Sequence, residues 1–290
     1  MTEISLFSPD VSELGEGPTF DVPTKTLFWF DITGKRLLEQ RGGDGRIQIQ
    51  SLPVMASALA SIDGDRQLVV AEDGLYVRDR ITARLIRRVA IEETNKLTRS
   101  NDSRTHPSGA LWFSTMGKNA ETKAGAIYWY REGEVKKLYP DMTIPNAICF
   151  APDGRTAYFA DTAINKMMRV DCDTITGLPV GEAIVFYDAS SEQGGLDGSV
   201  CDADGQIWNA RWGAGSLDCY SPEGQRIRSI SLPMKQPTCP AFCGTSLGDL
   251  AVTSAWQHMD EAARISDPEA GKTFIVELGL RGRAEPSVAL

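Results

Sequence analysis

The sequence predicts an all-β fold, a six-bladed β-propeller with four-stranded antiparallel blades, in which residues 1–290 form a single domain. Three observations predict it. A short turn followed by an apolar strand recurs six times, most copies lying 42 to 51 residues apart, and a repeat of short strands at that period marks propeller blades. The 27 glycines and 15 prolines are spread along the chain, as many short strands joined by tight turns require. Helical periodicity is nearly absent, and its best stretch, residues 260–265, is too short to build a layer.

The repeats run in order. Asp21-Val22-Pro23 leads into Thr26-Leu27-Phe28-Trp29-Phe30-Asp31, and Asp63-Gly64-Asp65 into Gln67-Leu68-Val69-Val70-Ala71. Pro107-Ser108-Gly109 precedes Leu111-Trp112-Phe113-Ser114, and Pro152-Asp153-Gly154 precedes Thr156-Ala157-Tyr158-Phe159-Ala160-Asp161. Ala203-Asp204-Gly205 precedes Gln206-Ile207-Trp208-Asn209-Ala210, and a weaker sixth copy follows Gly248 as Asp249-Leu250-Ala251-Val252-Thr253. Further alternating runs, such as Ala126-Ile127-Tyr128-Trp129-Tyr130 before Glu132-Gly133, predict hairpin arms within a blade. Gly42-Gly43-Asp44-Gly45 predicts a hairpin turn rather than a phosphate cradle. The terminal runs Ile4-Ser5-Leu6-Phe7 and Thr273-Phe274-Ile275-Val276-Glu277-Leu278 are expected to share one blade and close the ring, which removes exposed strand edges.

Charge and cysteine usage narrow the function classes. A net charge of −9 argues against nucleic acid as a partner, because an acidic surface repels phosphate backbones. No stretch approaches the roughly 18–20 apolar residues of a membrane helix, and the start Met1-Thr2-Glu3-Ile4 lacks a basic and apolar leader, so a cytoplasmic protein without a membrane partner is expected. Cys149, Cys172, Cys201, Cys219, Cys239 and Cys243 contain no CxxC pair and are expected to be reduced.

Only two histidines exist, and neither His106 nor His258 lies in a nucleophile-elbow context; His106, in a turn before a strand, is expected to be solvated. Oxygen donors carry the remaining chemistry. Glu16 stands between glycines five residues before Asp21, Asn146 seven before Asp153, and Asp197 seven before Asp204. Equivalent positions on different blades converge at one end of a propeller's axis, so these three side chains are expected to meet. Two carboxylates and an amide carbonyl suit Ca²⁺, Mg²⁺ or Mn²⁺, and a mixed site could hold Zn²⁺; of these, Ca²⁺ or Zn²⁺ is expected first. Asn101, seven residues before Ser108, falls on the same rim with Arg99 two residues upstream. A guanidinium and an amide there suit a polyhydroxylated, carbonyl-bearing ligand.

These segments together resemble the SMP-30/gluconolactonase/regucalcin-like family. The matching stretches are Gly15-Glu16-Gly17-Pro18, Asn101-Asp102, Ser114-Thr115-Met116-Gly117, Pro145-Asn146, Pro152-Asp153-Gly154-Arg155-Thr156 and Tyr158-Phe159-Ala160-Asp161-Thr162, followed by Asp197-Gly198, Asp204-Gly205, Trp208 and Arg211-Trp212-Gly213. The resemblance implies one divalent metal held by Glu16, Asn146 and Asp197, with Arg99 and Asn101 on the substrate and Glu121 near a further substrate contact. The chain departs from the family pattern at Asp102-Ser103-Arg104-Thr105-His106, where a Gly-Lys turn is common, and at Ala147-Ile148, where Gly-Leu is common, so the particular sugar is not carried over.

The expected activity is metal-dependent hydrolysis of a sugar (aldono) lactone to the aldonic acid, with the ion as Lewis acid and Asp197 as the proton acceptor. The partner is a small-molecule lactone, and the chain is expected to be a monomer or weak homodimer. The alternatives are a non-enzymatic calcium-binding regulatory propeller, or a metal-dependent esterase or phosphotriesterase on the same scaffold. Contact of Glu121 or His258 with substrate is left open.

Overall fold

The computed structural model describes residues 2–42 and 45–290. Six four-stranded antiparallel sheets surround an axis. Blade 1 comprises Gly15–Asp21, Thr26–Asp31, Arg36–Arg41 and Ile47–Ser51; blade 2 comprises Ala56–Ser61, Arg66–Ala71, Gly74–Asp79 and Leu85–Ala90. Blade 3 comprises Thr98–Thr105, Leu111–Gly117, Gly125–Arg131 and Glu134–Met142; blade 4 comprises Pro145–Phe150, Thr156–Asp161, Lys166–Cys172 and Pro179–Asp188. Blade 5 comprises Gly195–Cys201, Ile207–Trp212, Ser216–Tyr220 and Arg226–Ser231.

Blade 6 is composite. Pro237–Cys243, Asp249–Ser254 and Thr273–Glu277 are completed by the N-terminal strand Glu3–Ser8, with Ile4 opposite Val276 and Leu6 opposite Phe274. The expected ring closure is thus present. The short helical stretch is also present, as Glu261–Ser266 capped by the Asp260 carboxylate. The hairpin turn expected over 42–45 falls partly outside the described residues, at Gly43 and Asp44. No helix among the described residues is long and apolar enough to cross a membrane.

The core lies between blades. A Trp of the second strand is buried in blades 1, 3 and 5, as Trp29, Trp112 and Trp208, the last two at equivalent places. Phe30, Ile32 and Leu37 of blade 1 pack with Leu59 and Val69 of blade 2. Phe113 of blade 3 packs with Leu68 and Val70 of blade 2. All six cysteines are free and buried, and burial pushes the Cys149 and Cys239 thiols up, so they behave as small core side chains.

The first strand of each blade packs on the first strands of both neighbours, so these six strands line the axis. Each carries a β-bulge, between Glu16 and Thr19, Ala56 and Ala58, Ser100 and Ser103, Asn146 and Cys149, Leu196 and Ser199, and Pro237 and Pro240. A bulge interrupts the alternation of side chains and re-aims one of them. Glu16, Asn101, Asn146 and Asp197 all stand at these interruptions.

His106 corrects an expectation. It is fully buried rather than solvated. Its Nε2–H donates to the Gly154 carbonyl at 2.8 Å, its Nδ1 accepts from Ser108 N at 3.0 Å, and its ring meets Phe150 edge-on. The turn before the third blade's second strand is roofed by blade 4, which a single-blade reading of the turn misses.

Candidate functional site

At the end of the axis where the first strands begin, a cavity of about 170 Å³ is lined by Glu16, Arg99, Asn101, Asn146, Thr162 and Asp197. Leu14, Met116, Ile144 and Trp212 add apolar walls, and Gln257 and His258 line it as well. Blades 1, 3, 4 and 5 thus bring together five of the six side chains expected at the site. Glu121 stands apart: its carboxylate accepts from Asn119 N and Nδ2 at 3.1 and 3.0 Å, and it does not line the cavity, whereas its neighbour Ala120 does.

Local chemistry sets each donor. Asp31 Oδ1 accepts from Leu14 N at 3.1 Å and Asp161 Oδ1 from Ile144 N at 3.0 Å, so an aspartate closing the second strand anchors the chain two residues before Glu16 and before Asn146. Gly17 has φ +55° and its Cα faces the Ser57 carbonyl so closely that a Cβ would collide with it. Gly198 is packed against Cys239 in the same way, which fixes the strand bearing Asp197 against blade 6. Asn209 Nδ2 donates to the Asp197 carbonyl at 2.7 Å and to Ser199 Oγ at 2.9 Å.

The amides are oriented by a chain of donors. Thr162 Oγ1 donates to the Leu196 carbonyl at 2.6 Å, so it must accept from Asn146 Nδ2 at 2.9 Å. That leaves Asn146 Oδ1 as the exposed end of the amide, and it accepts from Asn101 Nδ2 at 2.8 Å with a lone pair to spare. Asn101 Oδ1 accepts from Arg99 Nη1 at 2.7 Å, and the same nitrogen donates to the Ser100 carbonyl at 2.9 Å.

The two carboxylates of the cavity are buried and repel one another. Burial, then the neighbouring Asp102 carboxylate, pushes Glu16 far above the usual carboxylate range against the opposing pull of the Gly17 N–H, Arg99 and Arg104. Asp197 is raised by burial, then by Glu16 and Asp102, with the Gly198 N–H and Arg99 opposing. Arg99 is itself pushed down to about 10 by burial. Neither Glu16 nor Asp197 forms an ion pair among the described residues, and two like charges in a dry site call for a proton or a cation between them. A divalent cation fits this donor set of two carboxylates and one inward-facing amide oxygen, all hard ligands. No group of three His, Cys, Asp or Glu side chains that could hold a metal exists among the described residues.

Residues 14–256 match the SMP-30/Gluconolactonase/LRE-like region. The chain belongs to this family. Among its SMP-30/gluconolactonase relatives, a provisionally named sugar lactone lactonase of Rhizobium meliloti (strain 1021) is 53% identical over 98% of this chain and 96% of its own length. L-arabinolactonase of Azospirillum brasilense is 30% identical over 97% and 94%. The crystal structure of a calcium-binding protein, regucalcin, from Agrobacterium tumefaciens superposes with a TM-score of 0.97 at 48% identity, covering 98% of this chain and 97% of that one. The family resemblance read from the ordered segments is therefore correct.

Several cavity residues escaped the sequence reading. Thr162 was within reach, since it follows Asp161 in a segment already singled out. Met116 and Trp212 were within reach on the same ground, whereas the place of Leu14 and Ile144 in the wall emerges only when the blades meet.

Proposed function

We propose that this chain hydrolyses a sugar lactone to its aldonic acid, with a divalent cation held by Glu16, Asn146 and Asp197. The observation that carries the reading is the pairing of two buried, mutually repelling carboxylates with Arg99 and two amides in one cavity. The lactonase names of its relatives support the same class.

A cation bound there supplies Lewis-acid polarisation of the lactone carbonyl. The residues do the rest. The Asp197 carboxylate takes a proton from the water that adds to the carbonyl carbon, and returns it to the ring oxygen as the ester C–O bond breaks, leaving a hydroxy acid. Arg99, held flat against Asn101 and the Ser100 carbonyl, presents its remaining N–H groups to sugar hydroxyls. Asn101 Nδ2 is spent on Pro145 O and Asn146 Oδ1, so its part is to hold Arg99 and Asn146 in place. Trp212 and the apolar walls cover the C–H faces of a sugar ring and exclude water. Glu121, outside the cavity, has no part in this scheme.

The test is turnover of aldono-1,4- and 1,5-lactones by chelator-stripped protein, with Ca²⁺, Mg²⁺, Mn²⁺ and Zn²⁺ restored singly and acid release followed by indicator. Turnover that returns with a cation is expected. Full turnover in the stripped protein would overturn the cation's role. Cation binding without turnover of any lactone would favour a calcium-binding protein instead.

A further inference from the structure

The end of the axis opposite the cavity is crossed by the C-terminal segment. Beyond the last strand of blade 6, Leu280 N donates to the Gly248 carbonyl at 2.8 Å. Ala203 N of blade 5 donates to the Arg281 carbonyl at 2.7 Å, and Arg283 Nη2 to the Phe150 carbonyl of blade 4 at 3.2 Å. Val288 N then donates to Ser61 O of blade 2 at 2.8 Å, and Ala289 N to Gly109 O of blade 3 at 2.8 Å. The segment is a strap over five blades.

Its one inward-directed carboxylate is Glu285, which accepts from Arg104 Nη1 at 2.9 Å. Arg104 is 8% exposed, and Glu285 25%. The other end of that guanidinium, Nη2, donates to the Ser199 carbonyl at 3.0 Å and approaches Cys239 Sγ at 3.7 Å. Ser199 is two residues beyond Asp197 on the same bulged strand. Asp102, whose carboxylate accepts from Ser103 N at 2.8 Å and Ile148 N at 2.7 Å, stands on the strand that carries Arg104.

We infer that Glu285 is a positioning residue for the cation site, acting through Arg104 from the opposite face of the propeller. This rests on the proposed reading of the cavity as a cation site. Two physical effects follow from the contact. Arg104 holds the Ser199 carbonyl, and so the strand that aims Asp197, and Glu285 holds Arg104. Arg104 is also a buried positive charge whose field reaches Glu16, and that field opposes a bound cation unless Glu285 compensates it. The Asp102 carboxylate also acts on Arg104, but more weakly than Glu285, and it forms no direct contact with the guanidinium.

The experiment compares Glu285→Gln, Glu285→Asp and, as a control within the same strap, Arg281→Ala, which breaks only the exposed Arg281–Asp204 pair. Mn²⁺ binding is measured by titration calorimetry on the full chain, with kcat, KM and thermal midpoint on the same samples. Glu285→Gln should weaken Mn²⁺ at least about five-fold, the lower end of coupling between distinct sites, and lower kcat more than KM. Glu285→Asp should recover a good part of both, and Arg281→Ala should stay within about two-fold of the parent, as exposed pairs do. Parent-like Mn²⁺ affinity in Glu285→Gln would overturn the inference whatever its thermal midpoint. Equal weakening by Arg281→Ala would overturn it too, by assigning the effect to the strap's general stability. If no lactone is turned over by any of these proteins, the Mn²⁺ affinities still decide the role of Glu285 separately from the lactonase reading.

Discussion

Asn146 and Thr162 are locked in one orientation: the threonine hydroxyl spends its proton on the Leu196 carbonyl, so the asparagine can only donate to it. The amide oxygen of Asn146 is thereby turned inward. Thr162→Val removes that lock and lets the amide rotate. Cation affinity and turnover are expected to fall by about 10- to 100-fold, the usual effect of losing a partner that orients a metal ligand. Titration with Mn²⁺ and initial rates on the best lactone check this; parent-like affinity would mean that Asn146 is not a ligand.

Asp197→Asn tests the repulsion between the two carboxylates. With a cation supplied, turnover should fall by at least about 10²-fold, the scale of a lost general base. In chelator the outcome should reverse sign. Asp197 and Glu16 are raised in the folded protein, so the folded state holds more protons than the unfolded one above the ordinary carboxylate range, and the cation-free parent loses stability as pH rises. Thermal scans from about pH 5 to about pH 8 should show that slope in the parent and a flatter, higher curve in the variant.

His106 predicts a slope on the acid side. Burial holds its pKa below the usual histidine value, with the Gly154 carbonyl contact partly opposing. The folded protein keeps the ring neutral, so its contribution is intact above the unfolded value of about 6.5 and is lost as pH falls below it. With a cation supplied, urea midpoints measured across that range should decline more steeply for the parent than for His106→Gln.

His258 lines the cavity, is exposed and has no hydrogen-bond partner among the described residues. Its backbone sits at φ +65°, so Asn, which tolerates that conformation, is the suitable replacement. His258→Asn is expected to raise KM by up to about 10-fold, one hydrogen bond's worth, with kcat nearly unchanged. A fall in kcat at constant KM would instead give His258 a part in the chemistry.

The architecture was readable because strand period, turn chemistry and blade register all repeat, and the same register marks Glu16, Asn146 and Asp197. Arg99 and Asn101 were readable for that reason too. Thr162, Asn209 and Arg104 follow no such rule. Thr162 and Arg104 act across blades, where contacts join residues with no fixed sequence spacing, and Asn209 braces the bulged strand within its own blade. His106 illustrates the limit: its own turn suggests solvent, and only blade 4 supplies the roof that buries it. Glu121 shows the converse, since its placement came from a loosely matching segment and its carboxylate is occupied by the Asn119 turn.

The pairing of Glu3–Ser8 with Thr273–Glu277 has a consequence for synthesis. Glu3–Ser8 must wait, unpaired, until Thr273–Glu277 has been made. Until then blade 6 lacks its outer strand. Under the proposed reading, a cation held by Glu16, Asn146 and Asp197 would tie blades 1, 4 and 5 together, and in excess it would hold the finished ring against reopening by simple mass action.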